Sequence, residues 1–200
     1  MTNAGIKMNL AAIEVAVGAV LKYIDEDSGR EGLWRTPERV AEMYAELFTG
    51  VGRDPASEID AIFSDDVTHD PVLVADLPFY SMCEHHLLPF FGRASLIYIP
   101  DRHIAGISKI ARALETTARR LQVQERLTAQ LADAVMTRVQ PLAVACRVEA
   151  EHLCMSMRGI QKPGHRVVTT AIRHGDRGGE NGSVPAYSAA ELLSLMDGRV

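Results

Sequence analysis

The spacing of apolar residues changes period repeatedly along the chain, and that succession restricts the fold more than any other feature. Leu10, Ile13, Val17, Val20 and Ile24 recur every three or four residues, the spacing that lines one face of a helix, and run out near Ser28 and Gly29. Thr36 and Pro37 read as an N-cap and first helical position, followed by Val40, Met43, Tyr44 and Leu47 up to Gly50, a natural stop. Residues 52–70 are polar and acidic with little periodicity and read as a connection. From Val72 the pattern becomes alternation, through Val74 and then Leu77 and Phe79, and residues 94–99 form a second β-rich run ended by Pro100. Ser108 reads as the N-cap of a helix carrying Ile110, Leu114 and Ala118, and Leu127, Leu131, Val135 and Val139 mark another. Residues 144–157 and 167–172 read as two more strands. A Gly-rich stretch at 173–185 leads to Ser188 and Glu191, a capping box before Leu192, Leu193, Leu195 and Met196. The order strand, strand, helix, helix, strand, strand behind N-terminal helices defines an α+β chain.

Composition agrees with one sizeable core. The chain has 200 residues, 47% hydrophobic and 24% charged, as in an ordinary globular protein and unlike a disordered one. A net charge of −5 argues against nonspecific nucleic-acid binding. No run is long and apolar enough to span a bilayer and no signal-peptide pattern opens the chain, so a cytoplasmic protein without membrane contact is expected. The 3 cysteines suit metal or thiol chemistry better than a disulfide framework.

Two clusters could use those thiols. Cys83-Glu84-His85-His86 is the densest group of potential ligands; on one helical turn Cys83 and His86 would face the same way and His85 would point elsewhere. In Glu151 to Arg158, strand alternation would put His152, Cys154, Ser156 and Arg158 on one face and Leu153, Met155 and Met157 on the other. Cys83, His86 and Cys154 match the Cys₂His set of a catalytic zinc with an open fourth position. A closed structural zinc, with His85 or His152 as fourth ligand, and a pair of core thiols both remain open on residue types alone. A third group, Ser108, Lys109 and Arg112 at a helix start, could hold phosphates or form a solvated basic face. In Gln124-Glu125-Arg126 the carboxylate would ordinarily serve the helix dipole.

Taken together, residues 79–92, Gly106-Ile107-Ser108-Lys109, residues 119–128, His152-Leu153-Cys154-Met155 and Met157-Arg158-Gly159 closely resemble the GTP cyclohydrolase I family. Glu31-Gly32-Leu33 and residues 36–40 extend the likeness, so that it covers about residues 10–172. The resemblance implies a tunnelling fold, in which the two-strand, two-helix, two-strand unit assembles as a toroidal homo-oligomer, usually a decamer with sites at subunit boundaries. It implies an N-terminal helical segment over residues 1–70 and a catalytic domain over 71–200, joined as one structural unit. It places zinc on Cys83, His86 and Cys154 and leaves His85 and His152 for proton transfer. Glu125 would anchor guanine with Gln124 beside it, Ser108, Lys109, Arg112 and Arg158 would receive the triphosphate, and Arg39 would join from another subunit. The implied reaction is hydrolysis of GTP to 7,8-dihydroneopterin triphosphate and formate, the first step of folate, pterin or deazapurine synthesis.

Those residue types suit that chemistry. Attack at a purine C8 needs a strong nucleophile at neutral pH, and zinc lowers the pKa of bound water to about 7. Opening the ring and releasing formate need proton carriers that titrate near neutrality. A carboxylate can accept two hydrogen bonds from the guanine edge, which adenine cannot donate. A noncatalytic zinc-stabilised assembly protein would not need His85, His152 and Glu125, a related pterin or deazapurine enzyme would use a different acid–base set, and a zinc nucleobase deaminase would need a Pro-Cys-x-x-Cys motif, absent here. Cys146 and Arg147 interrupt a strand that the family usually keeps apolar, with Cys146 read as a core or semi-exposed thiol. Trp34 reads as a packing residue, and His69, His103, His165 and His174 as surface residues.

Overall fold

The structure, a computed structural model, describes residues 8–24, 27, 29–65, 67–175 and 187–198. The expected end of the first helix at Ser28 and most of the Gly-rich stretch at 173–185 lie outside these residues. Among the described residues, α1 is Leu10–Ile24 and α2 is Thr36–Leu47. Then come β1 (Ile62–Phe63), β2 (Val72–Cys83), β3 (Pro89–Ile99), β4 (Ile104–Ala105), α3 (Ile107–Ala118), β5 (Leu121–Gln122) and α4 (Gln124–Val139). The chain continues with β6 (Ala143–His152), α5 (Leu153–Ser156), β7 (Val167–His174) and α6 (Ala189–Met196). The α+β reading therefore stands.

A five-stranded sheet in the order β5-β2-β3-β6-β7 carries the fold; β5 is parallel to β2 and the other neighbours are antiparallel. Period-two alternation divides its residues between two layers. Leu96, Tyr98, Val144, Cys146 and Val148 face Ile110 and Leu114 of α3 and Leu127, Leu131, Val135 and Val139 of α4 in the main core. Ile97, Ile99, Ala143 and Ala145 face the other way and meet Leu192 of α6. The α4 stripe is fully buried, and each such side chain contributes about 1.5–3 kcal/mol relative to exposure. Arg147 belongs to the second face, where it pairs with Asp197 at 2.6 Å and Glu149 at 2.9 Å. Cys146 lies in the main core, and burial pushes its thiol up to about 12.

The break in alternation between Val74 and Leu77 is a β-bulge, with Asp76 at φ 56° donating its backbone N–H to the Ser95 hydroxyl. The 52–70 connection holds more structure than expected: a 3-10 turn at Pro55–Glu58 capped by Asp54, and β1, which pairs with β4. Ser188 caps α6 in a box with Glu191 as expected, but Thr36 and Ser108 do not serve as N-caps. Arg35 precedes α2, and α3 is entered from Gly106, whose backbone N–H donates to the Ala61 carbonyl, so backbone pairing sets that entry without a side-chain oxygen. Gly50 closes α2 by donating to the Arg119 carbonyl, and a Cβ there would lie 2.2 Å from the Thr116 carbonyl oxygen. Trp34 is 70% exposed, so it is no packing residue within the chain; its indole N–H donates to the Gly29 carbonyl. α1 packs chiefly on α2 and buries none of its residues fully, leaving Val15, Val20, Tyr23 and Ile24 exposed.

Candidate active site

The Cys83 cluster lies on a tight turn and not on a helix. Cys83 ends β2, its N–H donates to the Leu88 carbonyl, and its carbonyl accepts from Leu87, which sits at φ 54°. That single turn still brings His86 back over Cys83, with Nδ1 3.9 Å from the buried Sγ. His85 does not point away as expected: its Nδ1 lies 4.0 Å from the same sulfur. Glu84 anchors the turn to α4 through two hydrogen bonds from Arg126, at 2.6 and 3.1 Å, which hold its carboxyl below the ordinary value.

The second cluster also departs from the alternating strand. β6 stops at His152 and the chain turns into α5, so His152 and Cys154 do not share a strand face. The turn is stabilised by the Ser156 hydroxyl, which donates to Glu151 at 2.6 Å, while Glu151 also accepts from the Gly164 N–H. It carries Cys154 to the Cys83 turn, and the ligand atoms of Cys83, His86 and Cys154 all lie within 4.8 Å of one another. Two thiols set this close oppose each other's ionisation: burial and then Cys83 push the Cys154 thiol up, a cost that a bound cation would reverse. The soft donor set, buried at one cysteine and half-buried at the other, fits zinc.

His152 stands beside this group. Its ring stacks on Phe90 with centroids 4.6 Å apart and 1° between planes, and its Nε2 lies 2.8 Å from Gln124 Oε1. Burial lowers its proton affinity, His165 acts in the same direction and Glu125 opposes them, so Glu125 is an electrostatic neighbour of His152. Glu125 itself is exposed in the first turn of α4. Gln124 is 1% exposed, which leaves its side chain no open surface to offer a ligand. Arg158 reaches the cluster, donating from Nη2 to His86 Nε2.

Other expected residues lie on α2 and α3. Lys109 binds Asp60 at 2.5 Å and lowers its pKa, Ser108 and Arg112 are exposed on α3, and Arg39 is exposed on α2. Among the described residues, no hydrogen bond or ion pair joins these four to the cysteine–histidine cluster. His165, expected at the surface, is half-buried: Nδ1 lies 2.6 Å from the Lys162 carbonyl and Nε2 accepts weakly from the His152 backbone N–H at 3.4 Å. His69 is also engaged, its Nδ1 lying 2.9 Å from the Pro100 carbonyl. The Phe90–His152 stack and the His165 contact had no signal in local spacing, because cross-strand register and loop closure create them.

A soft-metal ligand set flanked by a held imidazole and an acidic helix start defines a metal-dependent enzyme site. The GTP cyclohydrolase I family profile matches residues 13–179. GTP cyclohydrolase 1 of Geobacillus kaustophilus (strain HTA426) is 53% identical over 191 residues, covering 95% of this chain and 98% of that protein. The protein of the same name from Carboxydothermus hydrogenoformans (strain ATCC BAA-161 / DSM 6008 / Z-2901) is 51% identical over 162 residues, covering 80% and 84% respectively. The chain belongs to the GTP cyclohydrolase I family. Zinc dependence goes with that family, in agreement with the donor set. No helix among the described residues is long and apolar enough to cross a membrane.

Proposed function

We propose that the cluster around Cys83 hydrolyses GTP to 7,8-dihydroneopterin triphosphate and formate, with Cys83, His86 and Cys154 holding the zinc. The observation that carries this is the convergence of those ligands beside His152 in a chain of this family. Bound there, zinc would lower the pKa of a water to about 7 and so supply a nucleophile for the purine C8 at neutral pH. His152 and His85 carry protons to and from the ring nitrogens and the ribose oxygen as the imidazole ring opens and formate leaves. Glu125 accepts two hydrogen bonds from the guanine edge, which selects guanine over adenine. Ser108, Lys109, Arg112 and Arg158 receive the triphosphate, and Arg39 arrives from a neighbouring subunit.

Several observations support an assembled site. Lys109 and Arg112 lie on α3, and among the described residues no hydrogen bond or ion pair joins them to the cysteine–histidine ligands of the same chain, as expected if one substrate spans elements of different subunits. The exposed apolar residues of α1, and Tyr80, Leu87 and Leu121 near the cluster, are surfaces that association would bury. In this reading the chain is a toroidal homo-oligomer, a decamer of the tunnelling fold. Residues 1–70 form the helical segment and 71–200 the catalytic unit, within a cytoplasmic enzyme at the head of folate, pterin or deazapurine synthesis.

The test is incubation of zinc-loaded protein with GTP, reading formate and pterin fluorescence. His152→Ala and His85→Ala are expected to keep zinc and lose formate release by roughly a hundredfold or more. Glu125→Ala is expected to weaken GTP binding and its preference over ATP. No formate from the zinc-loaded wild type, or turnover unchanged in both histidine variants, overturns the proposal.

A further inference from the structure

We infer that Gln124 is a positioning residue that fixes the tautomer of His152, holding the hydrogen on Nε2 and leaving Nδ1 as the basic atom the ring offers to substrate. The inference rests on the reading of His152 as a proton carrier and says which of its atoms does that work.

The orientation of the Gln124 amide is determined by its surroundings. Its nitrogen lies 3.0 Å from the carbonyl oxygens of Val148 and Val167 and 3.1 Å from the Thr169 hydroxyl. Turned over, the amide would set its own oxygen against two carbonyl oxygens with no hydrogen between them, in a position almost closed to water. The hydroxyls agree with the first orientation. Thr128 donates to the Gln124 backbone carbonyl at 2.8 Å, and the 2.6 Å contact between Thr128 and Thr169 then takes its hydrogen from Thr169. That leaves a Thr169 lone pair for the Gln124 amide, so its two hydrogens face three acceptors and no donor.

With the nitrogen so held, Oε1 faces His152 Nε2 at 2.8 Å. A carboxamide oxygen only accepts, so in the neutral imidazole Nε2 is the donor and Nδ1 the free base. Phe90 fixes the plane of the same ring by stacking. The ring is therefore held in both tilt and protonation pattern before substrate arrives, an arrangement that outer partners of active-site histidines commonly supply. It also accounts for a glutamine at the first position of α4, where a side chain directed into the core otherwise leaves a buried polar group to satisfy.

The deciding measurement reads the tautomer in the wild type. Solid-state ¹⁵N spectra of histidine-labelled, zinc-loaded protein, with the His152 signals assigned by difference from His152→Asn, are expected to show protonated Nε2 and unprotonated Nδ1. The opposite tautomer in the wild type overturns the inference. Gln124→Leu is expected to mix the tautomers and lower kcat for formate release by about 10- to 100-fold, with KM for GTP and zinc content unchanged. A raised KM with unchanged kcat would instead mean that Gln124 binds the base directly, and would equally overturn it. If His152→Ala keeps full turnover, the proton-carrier reading fails, while the wild-type spectrum still decides the tautomer.

Discussion

Gly92→Ala tests how closely the site depends on the sheet beneath it. Gly92 lies in β3 between β2 and β6, opposite Phe79 on one side and Ala150 on the other. A Cβ there would sit 1.8 Å from the Glu149 carbonyl oxygen and 2.7 Å from Ala150 Cα, where real Cβ contacts essentially never fall below 3.0 Å. Both atoms belong to the backbone, so relief requires β3 and β6 to part by about 1 Å; β3 is paired on both edges and cannot move freely. Overpacking of this kind costs about 1–3 kcal/mol, and at roughly 2–4 °C per kcal/mol for a chain of this size Tm should fall by about 2–12 °C. The strain arises two positions from Phe90, which pairs with His152, and between the strands that lead to the Cys83 turn and to Cys154. A misplacement near 1 Å lowers turnover about a hundredfold, and zinc affinity should fall with it. Thermal unfolding and formate release, measured on the same zinc-loaded preparation, check both effects. Tm within about 1 °C of wild type, with turnover within about twofold, would refute the argument that the β3–β6 approach sets the site.

Cys83→Ser and Cys154→Ser should each lose zinc and turnover together, and a full metal complement in both would remove them as ligands. Chelation of the wild type should lower Tm, because a metal held at a hundred times its Kd stabilises the folded form by about 2.7 kcal/mol. The capping box of α6 gives a pH dependence: the Ser188 hydroxyl and then its backbone N–H hold Glu191 below its ordinary value. A depressed carboxyl stabilises the fold above its unfolded pKa and loses that contribution as pH falls through the folded one. Amide-exchange protection of α6 should therefore drop on acidification below the ordinary glutamate range, and Ser188→Ala, which removes the hydroxyl but keeps the backbone N–H, should weaken that dependence.

The sequence by itself determined the succession of elements and the ligand chemistry. Both are local: apolar spacing decides which face a residue takes, and the donor types of Cys83, His86 and Cys154 decide which metal suits them. Local rules also failed in local ways. Thr36 and Ser108 looked like caps and are not, because tertiary backbone pairing, as at Gly106, can set a helix entry without a side-chain oxygen. The strand face expected for His152 and Cys154 ended at His152 itself, since closing the metal group requires Cys154 to swing toward β2 and the α5 turn achieves it. What only the tertiary structure decided was what each side chain meets. Gln124 stands next to Glu125 in sequence, yet one side chain is buried against β6 and β7 and the other is exposed. His165 lies far along the chain from Gln124, and both touch His152. Register and loop closure bring together residues that no spacing relates, and a buried polar group must find its partners among whatever they place beside it.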